Sequence, residues 1–139
     1  MTAKEFLRQY QDNLVEIRNI DKEIERLEAH AMSVSQPTDK ERVQSSATQD
    51  SADTIAEIAD MQVEVEALRD EALRKLKEIS DVIRIVESKE CRQVLHMRYV
   101  ENSKWDEVAT KMNYSRRWIM ALHRQALERV STIIEKSSF

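Results

Sequence analysis

Not one of the 139 residues is glycine. Glycine enters tight hairpins and left-handed turns without steric cost, so its absence argues against a strand-rich fold with many chain reversals. What remains is a chain suited to helices, which must make its turns with other residues. Charged residues make up 35% of it and aromatic residues only 5%, a balance that fits long solvated helices with narrow apolar faces. The expected fold class is all-α, with a long, coiled-coil-like N-terminal helical hairpin followed by a C-terminal three-helix unit.

The apolar spacing supports the hairpin. Phe6, Leu7, Tyr10, Leu14, Ile17, Ile20, Ile24 and Leu27 recur mostly at steps of three and four, which draws one stripe along a helix from Lys4 to about Ala31. The stretch near residues 32–50 holds the only proline, Pro37, among serines, threonines and glutamines, and reads as a polar linker. Helical spacing then resumes through Ile55, Ile58, Met61, Val65, Leu68, Ala72, Leu76, Ile79, Ile83 and Val86, with Leu73 and Val82 widening the stripe. Two long helices on either side of a linker fold back most simply as an antiparallel pair, for oligomerisation or partner contact.

The pattern breaks at Glu87, Ser88 and Lys89, so two domains are expected, residues 1–88 and residues 89–139. Ser88 suits the N-cap of a third helix carrying Val94, Leu95, Met97, Arg98 and Tyr99. "VENSK" has turn chemistry, and Ser103 is expected to cap a short fourth helix with Trp105, Val108, Ala109 and Met112. "MNYS" makes the next turn, with Ser115 capping a fifth helix that runs to about Glu135.

Charge divides the chain in the same place. Residues 1–88 hold 12 basic and 20 acidic side chains, and residues 89–139 hold 10 basic and 6 acidic, so the parts carry −8 and +4 within the total of −4. A polyanionic partner would therefore meet the C-terminal part. Cys91 is the only cysteine, which excludes an internal disulfide and a multi-cysteine zinc site; it fits a reducing cytoplasm and reads as a small core residue. The N-terminal residues lack the apolar run of a signal peptide, and no stretch is apolar enough to span a membrane. Cytoplasmic residence and no membrane partner follow as expectations.

On a helical wheel drawn from Ser115, Trp118, Ile119, Leu122 and Ala126 share one side, while Arg116, Arg117, Met120, Ala121 and Arg124 cover the other. A short helix bracing a second one whose first turn is basic is the layout of a helix-turn-helix that reads the major groove. Arginine can bond guanine O6 and N7 with both arms of its fork. Arg116 and Arg117 are therefore the expected base readers, Ser115, Met120 and Ala121 complete the surface, and Arg124, Lys104 and Lys111 are expected on phosphates. Trp105 and Trp118 are expected to anchor the core, and His123 to be packed or partly exposed.

These residues also carry a resemblance. "VLHMRY", "WDEVATKM", "YSRRWI" and "RQALERV" together resemble the C-terminal DNA-binding region of bacterial sigma-70 factors, region 4. The whole layout is similar to late-transcription regulators of the ArpU and RinA type in phages and prophages. The resemblance implies a phage transcription regulator in the cytoplasm of a bacterial host cell, with host RNA polymerase as a candidate partner. Double-stranded DNA is the partner expected from the helix-turn-helix itself, a homodimer is expected because one recognition helix reads few bases, and no cofactor or metal is expected. A small terminase subunit for phage DNA packaging is the alternative.

An enzyme is the remote third reading. Glu25 and Glu28, then Glu57 and Asp60, resemble the magnesium-binding carboxylates of all-helical nucleotide pyrophosphohydrolases, each pair lying about one helical turn apart. His30, His96 and His123 fall on different helices without metal-ligand spacing. With no glycine, neither the glycine-rich P-loop motif G-x-x-x-x-G-K-[ST] nor the nucleophile-elbow motif G-x-S-x-G is present.

Overall fold

The computed structural model describes the backbone of residues 1–35 and 44–137, and the side chains of these residues outside 34–49. Among the described residues five α-helices follow one another: α1 (Ala3–Ser35), α2 (Gln44–Ile85), α3 (Lys89–Leu95), α4 (Trp105–Met112) and α5 (Arg116–Lys136), with a π-helical turn, His96–Val100, continuing α3. No strand occurs among the described residues. The fold is all-α, with a long helical pair ahead of a three-helix end. Helices α1 and α2 run further into the polar stretch than the apolar spacing predicts, to Ser35 and from Gln44. Pro37 and the rest of the linker expected near 32–50 lie outside the described residues.

The chain divides into two compact units, one made of Met1–Asn13 with Glu71–Phe139, the other of Leu14–Asp70. That division falls elsewhere than at residue 88. The first turns of α1 and the last turns of α2 belong with the three short helices because they share one core. Phe6, Leu7, Ile79, Val82, Val86, Cys91, Val94, Leu95, Val108, Ile119 and Val130 are all buried in it. Three helices of 7, 8 and 21 residues have too little apolar surface to close a core among themselves, and the two long helices supply the rest.

Unit Leu14–Asp70 is thinner. Among its described residues, Ile17 and Ile24 of α1 and Ile58 and Val65 of α2 are the buried apolar ones. An ion pair between Arg69 and Asp21, 3.6 Å long and largely solvated, links its two helices. Two of the expected stripe positions on α2 are corrected: Ile55 and Leu73 are 59% and 64% exposed. A seam between two helices covers only a narrow arc of each, and these two residues fall outside it.

The chain makes its left-handed turns with asparagine. Asn102 and Asn113 both have φ of 59°, one before α4 and one after it. Asparagine tolerates this region better than other residues with a Cβ, because its short polar side chain can bond locally. Here it replaces the missing glycine.

Candidate nucleic-acid interface

Helix α3 begins as its residues suggest. The Ser88 hydroxyl accepts from the Cys91 N–H at 3.2 Å, which satisfies one of the free donors of the first turn. Cys91 is buried and its thiol donates to the Leu122 carbonyl at 3.7 Å, tying α3 to α5. The helix then widens. The Glu101 N–H reaches back to the His96 carbonyl at 3.0 Å, five residues away, which marks the π-helical turn. Periodicity alone predicts ordinary helix here and does not reveal this turn.

Helix α4 is capped differently from expectation. Ser103 is not its N-cap; Lys104 is, and its N–H donates to the Glu107 carboxylate at 3.0 Å. Ser103 is buried instead, its N–H bonded to the Met97 carbonyl and its carbonyl accepting from Arg98. The fourth helix therefore starts one residue later, because the serine backbone is used to close the turn.

The end of α4 is sharp. The Tyr114 N–H bonds to the Ala109 carbonyl at 3.1 Å and the Asn113 N–H to the Thr110 carbonyl at 3.2 Å. With Asn113 left-handed between them, this is a Schellman motif. Ser115 follows at once as the N-cap of α5, accepting from the Trp118 N–H at 3.1 Å. Three residues thus separate two helices whose apolar sides meet through Val108, Ile119 and Leu122 in the common core. The arrangement is a helix-turn-helix.

Helix α5 buries Ile119, Leu122, Ala126 and Val130, and its opposite side faces solvent. Arg117 and Arg124 are exposed there, two turns and about 10 Å apart along the axis, and neither forms an ion pair among the described residues. Ala121 lies between them, half-buried. Met120 is half-buried against the core. Ser115, Lys104 and Lys111 are exposed. Arg116 is exposed too, but it reaches Asp106 of α4 at 3.4 Å. Such a solvated pair contributes about 0–1 kcal/mol, so the guanidinium can leave it for a base or phosphate at little cost.

Trp118 is corrected. It is 45% exposed rather than a core anchor, and it meets Tyr114 edge-on at 6.3 Å. On the wheel it lies at the rim of the buried arc, about 85° from its centre, on the basis of 100° per residue. A hydrogen bond to the Glu90 carboxylate, and that charge itself, push the Tyr114 phenol above 10.0. Trp105, by contrast, packs against the core as expected.

A cluster on the other flank of α5 escapes sequence reasoning. Tyr99 Oη and His123 Nε2 lie 2.6 Å apart, Trp105 meets the His123 ring edge-on at 4.6 Å, and the Arg98 guanidinium sits 4.6 Å over the Trp105 ring. Burial, with Lys4, Arg98 and Arg8 nearby, pushes the His123 pKa from 6.5 down to about 4, and burial raises that of Tyr99. Gln11 of α1 donates to the Tyr99 and Val100 carbonyls at 3.2 and 3.1 Å. Those carbonyls end the π-helical turn, and a glutamine almost ninety residues away satisfies them. No local pattern could have signalled it.

The carboxylates considered for magnesium, Glu25, Glu28, Glu57 and Asp60, are all exposed. Among the described residues no group of three or more histidines, cysteines or acids is gathered for a metal ion. No described helix is long and apolar enough to cross a membrane.

The fold and the α4–α5 geometry together define an all-helical protein with a helix-turn-helix after its two long helices. Residues 31–131 match the family model described as "Protein of unknown function (DUF1492)", and the chain belongs to that family. No curated protein and no solved structure matches it.

Proposed function

We propose that the protein is a sequence-specific double-stranded DNA-binding transcription regulator acting on phage gene expression. The observation that carries this reading is the exposed basic side of α5, presented directly after a three-residue turn. Arg116 and Arg117 occupy its first turn and Arg124 its third. A helix N-terminus also offers unpaired N–H groups and the positive end of the dipole to phosphate. With α4 bracing it, α5 can enter a major groove N-terminus first, Arg116 and Arg117 toward bases and Lys104, Lys111 and Arg124 toward the backbone. The likeness to sigma region 4 and to regulators of the ArpU and RinA type supports transcription as the process and host RNA polymerase as a partner.

One recognition helix reads few base pairs, so the protein is expected to act as a dimer on half-sites about 34–36 Å apart. The long α1–α2 pair is the element available for self-association. A monomer by light scattering, at concentrations where DNA is held tightly, would count against the dimer.

The test is to incubate the purified protein with sheared DNA of its source genome at moderate salt, recover the bound fragments and sequence them. Enrichment of one site upstream of a transcribed region is the expected result. Enrichment beside packaging genes, with no effect on transcription, would favour the small terminase reading. No enrichment would overturn autonomous sequence-specific binding.

A further inference from the structure

The start of α1 belongs to the same compact unit as the helix-turn-helix. Ala3, Phe6 and Leu7 are buried in the core that holds Val108 and Ile119, and Gln11 is bonded to the two carbonyls at the end of the π-helical turn. Lys4, Arg8 and Gln11 stand at i, i+4 and i+7, which places them on one stripe of α1. Since Gln11 is bonded to the π-helical turn, Lys4 and Arg8 continue that stripe near His123, with Arg8 also near Tyr99.

Both side chains are exposed, and neither forms an ion pair among the described residues. Arg98, half-buried, adds a third cation over Trp105. His123 registers all three charges, which lower its pKa alongside burial. On α5, His123 shares a stripe with Met120 and Arg116, one and two turns nearer the helix N-terminus. The cations therefore border the flank of the helix that the proposed function sends into the groove.

We propose that Lys4 and Arg8, with Arg98, form a second phosphate-binding station, so that the DNA footprint extends from the recognition helix onto the first two turns of α1. This rests on the DNA-binding reading above. Three cations from two elements, left without acidic partners, repel one another, and a phosphodiester backbone passing the flank of α5 would neutralise them. A polyanion suits them better than a single carboxylate because its charges repeat along a line, as the stripe does. The acidic balance of residues 1–88 hides these two residues, which lie at the start of the chain but fold against its end.

The experiment measures binding of the full chain to a double-stranded fragment as a function of salt, for the wild type, for Lys4→Ala/Arg8→Ala, and for Lys22→Ala/Arg26→Ala, whose side chains are exposed further along α1. If Lys4 and Arg8 each neutralise one phosphate, the first variant binds all sequences more weakly with unchanged base preference. Its slope of log K against log salt becomes shallower by about 1.8, from about 0.9 for each phosphate that is no longer neutralised. The second variant keeps the wild-type slope. An unchanged slope for Lys4→Ala/Arg8→Ala, while the wild type binds, overturns the second station and leaves the DNA-binding reading intact. A wild type that binds no double-stranded DNA overturns both. A titration of His123 by NMR checks the placement without DNA: removing the two cations should raise its pKa, and no rise would show that they do not face the ring.

Discussion

Arg116 and Lys111 differ in what their removal would do. Arg116→Ala is expected to relax base preference at one position, at a cost of about 1–3 kcal/mol on the preferred site and little elsewhere. Lys111→Ala should weaken binding to every sequence alike and make the salt slope shallower by about 0.9. Binding isotherms on the preferred site and on a scrambled one separate the two; equal, sequence-independent losses would contradict the assignment. His123 makes a prediction of another kind. Its folded pKa lies near 4, below its ordinary 6.5, so the unfolded chain takes up a proton that the folded ring refuses. The stability due to neutral His123 is therefore complete above about pH 6.5 and is lost as pH falls toward 4. Urea midpoints across that window should drop for the wild type, and a His123→Gln variant, with nothing there to titrate, should drop less. The outward arginines were legible from a helical wheel, because exposure on a single helix follows from its period. Trp118 was not, because a residue at the rim of the buried arc is covered or bare according to the tertiary neighbours on that flank, which the period does not fix.

At the scale of elements, the α4–α5 turn depends on two side chains with distinct physical roles. Ser115→Ala removes the acceptor of the Trp118 N–H and should destabilise the protein by about 0.5–2 kcal/mol in chemical denaturation. Asn113 acts through its backbone: with φ of 59°, Asn113→Ala should cost about 1–2 kcal/mol, while Asn113→Gly should be tolerated. A loss equal for both substitutions at 113 would mean that the amide side chain, not the left-handed backbone, holds the turn. Caps at Ser88 and Ser115 were readable because a serine before a periodic run bonds within its own first turn. The cap of α4 was displaced by one residue because the Ser103 backbone is bonded to Met97 and Arg98, partners that adjacent spacing does not disclose.

For the whole molecule, the core crosses the boundary that composition suggests. Phe6 is 2% exposed, although it lies about a hundred residues before α4 in the chain. Phe6→Ala should destabilise the helix-turn-helix along with the rest of its unit, by about 3–5 kcal/mol. A fragment of residues 89–139 alone would lose Phe6, Leu7, Ile79, Val82 and Val86 from the shared core. It should show helical signal without cooperative unfolding by circular dichroism and calorimetry. A cooperative transition in that fragment would show that the three short helices close their own core.

By itself the sequence determined the all-helical class, the presence of two long helices, the serine caps of α3 and α5 and the basic side of the last helix. These are consequences of local chemistry: a missing glycine, an apolar period of three and four, a hydroxyl placed before a first turn. Only the tertiary structure decided that Lys4, Arg8 and Gln11 stand beside Tyr99 and His123, that the π-helical turn is closed from α1, and that Trp118 is left bare. Those facts depend on which helix faces lie against one another, and side chains far apart in the chain meet only when a shared core brings them together.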